Sequence, residues 1–175
     1  VYAALCRQLD KPLCIVTPGE AEATRFAADL NTLGIPAAVF PARDYVLRPI
    51  EGTAREYEYR RLAVLGELVG GRLRAVAVPA EALTQFTTPK EDFCANTRTL
   101  HAGDTLLRDD LLAALFGAGY TRRAQVDGPG QFSVRGDIVD IFAPDQKMPV
   151  RMEFWGDEID TPVSYTHLTL PTKRI

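Results

Sequence analysis

The sequence predicts an α/β fold in two parts: a parallel sheet covered by helices, then a small α+β module with an antiparallel sheet. Three observations carry this. Apolar runs at residues 13–16, 35–40 and 73–78 alternate with helical periodicity, as strand–helix–strand units do. After Asn96 that rhythm stops, and one helix is followed by extended segments. Residues 132–142 and 150–160 then alternate apolar and polar side chains at period two, the signature of half-buried strands.

Residues 2–9 read as the end of a helix, and Leu-Cys-Ile-Val within 12–17 as a buried strand. Thr17, Pro18 and Glu20 follow in the order of a helix N-cap, first position and first turn. The helix expected over 21–33 carries Ala23, Phe26, Ala27 and Leu30 on one stripe, and Gly34 stops it. Residues 41–52 lack periodicity and read as an ordered loop. Residues 53–69 predict a strong helix with an apolar stripe at Leu62, Leu65 and Leu68, ended by Gly70-Gly71. A short helix is expected at 79–83, broken by Thr87-Thr88-Pro89.

In the second part, 97–101 is strand-like and 106–117 helical, through Leu107, Leu111, Leu112 and Leu115. Residues 120–126 read as extended, and Gly128-Pro129-Gly130 as a turn. The simplest structure for 132–160 is one antiparallel hairpin turning at Asp145-Gln146-Lys147. Its apolar positions are Phe132, Val134, Ile138 and Phe142, then Val150, Met152 and Phe154. Arg135, Asp137, Arg151 and Glu153 interleave, and Trp155 falls on the Arg151/Glu153 face.

A net charge of −3 over 175 residues excludes a global basic field for nucleic acid. Cys6, Cys14 and Cys94 lack metal-ligand spacing, and their odd number predicts free, buried thiols in a reducing cytoplasm. No apolar run approaches the roughly 20 residues that span a bilayer. Without an initiator Met, and with an apparent helix at its start, the chain is expected to be a fragment.

Catalytic constellations are missing from the sequence. It has no Gly-x-x-x-x-Gly-Lys-Ser/Thr phosphate loop. Gly128-Pro129-Gly130 precedes a strand rather than a helix, so no helix dipole backs it. His101 and His167 have no triad partners. In Asp109-Asp110 and Asp157-Glu158, neighbouring carboxylates point to different faces, which reads as solvated surface rather than a metal cage. Arg60-Arg61, with Arg55, Tyr57 and Tyr59 nearby, fits a small nucleic-acid patch or an exposed helix face with a Glu56–Arg60 pair. The charged face of the hairpin is the remaining candidate. Arg135 and Arg151 on paired strands, with Glu153 and Trp155, fit either a protein-binding hot spot or a solvent-facing sheet, and pattern leaves both open.

Residues 130–142, Gly-Gln-Phe-Ser-Val-Arg-Gly-Asp-Ile-Val-Asp-Ile-Phe, and 149–160, Pro-Val-Arg-Met-Glu-Phe-Trp-Gly-Asp-Glu-Ile-Asp, carry a resemblance. So do Phe-Pro-Ala-Arg-Asp-Tyr at 40–45, Glu51-Gly52, Arg55-Glu56-Tyr57, Arg61-Leu62, Gly117-Ala118-Gly119-Tyr120 and Gln125-Val126. Together, in order from about Leu5 to Asp160, they resemble the UvrB-homology module of bacterial transcription-repair coupling factors. The excision-repair protein UvrB is similar but would place a longer insertion between Phe40 and Thr53.

The resemblance implies a partial RecA-like subdomain over 1–95 that has lost nucleotide binding. It implies a UvrB-type domain over 96–163 that docks on UvrA, the damage-recognition ATPase. The family's UvrA contacts carry over to Arg135, Arg151, Glu153 and, with the aromatic changed to Trp here, Trp155. The implied role is to recruit UvrA where RNA polymerase has stalled, in transcription-coupled nucleotide excision repair in the cytoplasm. The translocase motor, with its ATP, Mg and double-stranded DNA, belongs to the full-length family protein. No catalytic residue, metal or cofactor is expected in this stretch. Residues 161–175 depart from the family pattern. From 164 on they are expected to be a non-native, poorly packed tail. Two rivals remain: a fragment of a UvrB-like nucleotide-hydrolysing helicase subunit, and a DNA-binding module using Arg43, Arg55, Arg60 and Arg61.

Overall fold

The computed structural model describes residues 1–43, 53–101, 103–162 and 166–169. The expected loop over 41–52 therefore lies mostly outside the described residues, as does the Arg55 side chain. The chain divides into two compact units, Val1–Phe86 and Thr87–Ile175.

In the first unit, α1 (Tyr2–Gln8) precedes β1 (Leu13–Thr17), α2 (Glu20–Thr32) and β2 (Ala37–Val39). Then come α3 (Thr53–Val69), β3 (Ala75–Pro79) and α4 (Ala80–Leu83). The strands form a parallel sheet, as expected, and their order is β1-β3-β2. β3 is buried throughout, and its Ala-Val-Ala-Val alternation divides the core. Ala75 packs with Cys6, Ile15 and Leu30, and Ala77 with Ala23 and Ala27 of α2. Val76 and Val78 pack with Val64 of α3, Phe40 and Leu73. Small residues on one face and branched ones on the other cover both sides of the strand. Arg74 donates to the carbonyls of Cys6 and Leu9 and so satisfies the exposed end of α1. Thr17 is not the N-cap of α2. It ends β1 and donates its hydroxyl to the Gly19 carbonyl at 2.9 Å, and Gly19 takes the cap position. Cys6 is buried as expected, but Cys14 and Cys94 are exposed, because each falls on the uncovered side of its element.

The second unit contains α5 (Lys90–Ala95), β4 (Thr97–Leu100), α6 (Arg108–Gly117) and β5 (Thr121–Arg122). It continues with β6 (Gln131–Arg135), β7 (Ile138–Phe142), β8 (Val150–Trp155), β9 (Glu158–Pro162) and β10 (Thr166–Thr169). The contact boundary at Phe86/Thr87 lies before the expected one at 95/96, because α5 belongs here. Six residues with one apolar anchor, the buried Phe93, give no periodicity to read. Thr97 ties α5 to β4 by donating its hydroxyl to the Phe93 carbonyl at 2.8 Å.

Residues 131–162 form three successive hairpins rather than one, and the expected hairpin turning near Asp145-Gln146-Lys147 is the middle one, β7–β8. β5-β6-β7-β8-β9 is a five-stranded sheet among the described residues, antiparallel except for the β5–β6 pair. Two-residue turns, Gly136-Asp137 and Gly156-Asp157, join Arg135 to Ile138 and Trp155 to Glu158. Both glycines have positive φ, 61° and 64°, as the primed turns that match strand twist require. The first turn also shifts the phase of alternation. Phe132 and Val134 face the core, whereas Ile138 and Phe142 lie half-buried on the opposite face.

The core behind the sheet joins Phe132, Val139, Ile141, Val150, Met152, Phe154 and Ile159 to Leu111 and Leu115 of α6. Leu107, expected in the α6 stripe, is instead its exposed N-cap residue. The tail expected to pack poorly contributes β10, which pairs antiparallel with β4 through Thr166–Leu100 and Thr169–Thr97. Its Thr-His-Leu-Thr run has the β-branched, alternating character that an open strand edge accepts.

Candidate functional site

The register of the sheet brings the predicted residues together. Residues directly opposite one another on paired strands share a face. One row is Ser133–Asp140–Arg151, and the next is Arg135–Ile138–Glu153. The burial of β8 alternates from Val150 to Trp155, so Arg151, Glu153 and Trp155 point away from the core. All four predicted contact residues therefore lie on the solvent face. Arg135 and Arg151 are not on paired strands, however, because β7 runs between β6 and β8.

Each hairpin turn sets one site residue at a strand end, Arg135 before Gly136 and Trp155 before Gly156. Arg108 of α6 steadies the first turn, donating to the Gly136 carbonyl at 2.9 Å and to Asp137 at 3.3 Å. Between β8 and β9 the register slips by one residue at Glu153/Phe154, a bulge just before Trp155. Trp155 is 83% exposed. A side chain of that size left in water on an ordered strand is what an interface anchor requires.

At the centre stands a residue that sequence reading did not single out. The Asp140 carboxylate accepts hydrogen bonds from Arg151 Nε at 2.7 Å, Arg151 Nη2 at 3.1 Å and Ser133 Oγ at 3.3 Å. Its side chain is 14% exposed, while that of Arg151 is 51% exposed. The bond to Arg151 holds the Asp140 carboxyl below its ordinary value of 3.8, against the opposing effect of burial. The same bond raises Arg151. A folded-state value below the unfolded one stabilises the fold above about pH 3.9. That contribution disappears as pH falls through the folded-state value. The expected result of a carboxyl-carbon NMR titration is a midpoint for Asp140 below 3.8, moving upward in Arg151→Met. The alternation Val139-Asp140-Ile141 on a central strand was the signal available for it.

Beside this row lies a concavity of about 390 Å³ lined by Gln125, Val126, Arg135, Asp140, Pro149 and Arg151. Among the described residues, no group of three or more His, Cys, Asp or Glu is placed to hold a metal ion. No described helix is long and apolar enough to cross a membrane.

The predicted nucleic-acid patch is not brought together. Arg61 is buried at 8% exposure. It donates to the Pro41 carbonyl at 3.0 Å, Gln85 Oε1 at 3.0 Å and the Phe86 carbonyl at 3.3 Å. Its guanidinium also lies 4.2 Å over the Phe40 ring. Arg43 pairs with Glu58 at 3.5 Å, and Arg60 is exposed. Arg61 is therefore a bracket inside the first unit, because its fork reaches three carbonyl-type acceptors at once. Arg61→Met is expected to destabilise the first unit by about 1.5–3 kcal/mol, the scale of a buried charged hydrogen bond. Urea denaturation measures it, and an unchanged midpoint contradicts this role.

Among the described residues, the second unit is a five-stranded sheet with a core on one face and a polar, Trp-bearing face open to solvent. Residues 99–169, within the second unit, match the model of the UvrB interaction domain. Beyond the domain, the chain is 38% identical over 167 residues to the transcription-repair-coupling factor of Mycobacterium bovis, covering 91% of this chain and 13% of the relative. It is 29% identical over 161 residues to that of Bacillus subtilis, covering 91% and 14%. It is also 32% identical over 126 residues to the UvrABC system protein B of Chlorobium limicola, covering 72% and 18%. The chain thus spans less than a fifth of the length of these relatives.

Proposed function

We propose that this chain is the UvrA-docking module of a transcription-repair coupling factor, and that it recruits UvrA in transcription-coupled nucleotide excision repair. The observation that carries the reading is the shared solvent face of Arg135, Arg151, Glu153 and Trp155, backed by a complete core. Arg supplies planar bidentate donors, Glu153 an opposite charge, and Trp155 apolar area at low entropic cost. Similarity to coupling factors over 91% of the chain, against 72% for the UvrB relative, favours the coupling-factor reading over the UvrB one. RNA polymerase and double-stranded DNA are partners of the whole protein in this reading, and ATP with Mg serves its motor.

Calorimetric titration of UvrA into the 175-residue chain tests the proposal. A saturable heat that Trp155→Ala reduces by tenfold or more is expected, on the scale of a hot-spot residue. Absence of binding by the wild-type chain refutes it. The DNA-binding rival predicts duplex affinity that falls steeply with salt. With Arg61 internal and Arg43 paired, no such affinity is expected.

A further inference from the structure

We infer that Asp140 is the positioning residue of the docking face: it locks Arg151 into the single orientation in which Arg151 meets a partner. This rests on the docking reading above and adds to it a residue that touches no partner itself.

A guanidinium offers five N–H donors on three edges. Here Arg151 turns its Nε/Nη2 edge to Asp140, the side-on bidentate arrangement, at 2.7 and 3.1 Å. That engagement uses one Nη2 hydrogen and leaves the other, together with Nη1, without a hydrogen-bond acceptor among the described residues, on a side chain half open to solvent. Asp140 is itself held from both sides. It sits on the central strand of the sheet, with Ser133 donating to Oδ2 from β6 and Arg151 donating from β8. The three residues form one cross-strand row, so backbone pairing fixes their spacing. An exposed arginine otherwise loses rotamer freedom on binding, at a cost of about 0.5–1.5 kcal/mol per side chain, equivalent to about 2- to 10-fold in affinity. Asp140 removes that cost before the encounter. The fork left over is a planar pair of donors, which fits a carboxylate or a backbone carbonyl of the partner. Arg135 borders the same concavity and adds positive charge beside it.

Asp140→Asn, which keeps shape and removes charge, is the test variant. In the 175-residue chain, NMR of the arginine Nε–Hε groups is expected to give an ordered, exchange-protected signal for Arg151 that becomes mobile in Asp140→Asn. A mobile Arg151 in the wild-type chain overturns the inference, whatever the partner. In calorimetry with UvrA, Asp140→Asn is expected to weaken binding about 3- to 10-fold, and to have no further effect in an Arg151→Ala background. An equal loss in both backgrounds means that Asp140 acts through the fold alone and also overturns it. Failure of the wild-type chain to bind UvrA counts against the docking reading only. The NMR result then decides the positioning role by itself.

Discussion

Arg135→Glu and Arg151→Glu are each expected to lower UvrA affinity by about 100-fold or more, since like charges set against each other at an interface cost several kcal/mol. Arg135 is the cleaner of the two sites. It lies at a strand end on the solvent face, and its side chain makes no hydrogen bond among the described residues, so reversal leaves the sheet intact. Arg151→Glu removes the bonds to Asp140 and puts a carboxylate directly opposite it. Its melting temperature should therefore fall modestly as well. Calorimetry alongside a thermal melt separates the two effects. Unchanged affinity in both variants contradicts the assignment of this face.

Phe132→Ala is expected to destabilise the second unit by about 3–5 kcal/mol, the range for truncating a buried aromatic. Phe132 is fully buried and meets Phe116 edge-to-face, with centroids 5.1 Å apart and rings at 83°. It is the neighbour of Ser133 on β6, so the same strand carries the core on one side and the Asp140 row on the other. Trp155→Ala, on the exposed face, should shift stability by no more than about 0.5 kcal/mol. Denaturant titration of both variants measures the contrast. A Trp155→Ala loss as large as that of Phe132→Ala means that Trp155 belongs to the core rather than the face.

Much of this organisation was legible in the residues. Apolar runs separated by helical stripes announced the parallel sheet. The alternation of Arg151, Glu153 and Trp155 with Val150, Met152 and Phe154 placed the first three on the solvent face and the others in the core, as the structure has them. What escaped was turn chemistry. Gly136-Asp137 and Gly156-Asp157 sit inside alternating runs, and read as strand they conceal two hairpins. Two-residue Gly-Asp loops flanked by alternating residues are themselves a hairpin signal. Missing them put Ile138 and Phe142 on the wrong face and Arg135 next to Arg151.

Asp140 escaped for a related reason. Its importance comes from the strand on each side of it, and pairing partners are not local in sequence. Arg61 looked like surface because its helix is charged. Its carbonyl partners come from Pro41 and Phe86, 20 and 25 residues away. Thr166–Thr169 was expected to fall outside the family pattern, yet the match to the UvrB interaction domain runs to residue 169 and the segment pairs with β4.

The most direct measurement uses the fact that Trp155 is the single tryptophan of the chain. Labelled with 5-fluorotryptophan, the chain gives one fluorine resonance, reporting a side chain 83% exposed in the free protein. Adding unlabelled UvrA is expected to shift and broaden that resonance and to abolish its sensitivity to deuterated solvent, as the indole enters a dry interface. Calorimetric binding of UvrA with the fluorine resonance unmoved would contradict the account, because docking would then occur away from the β8 face.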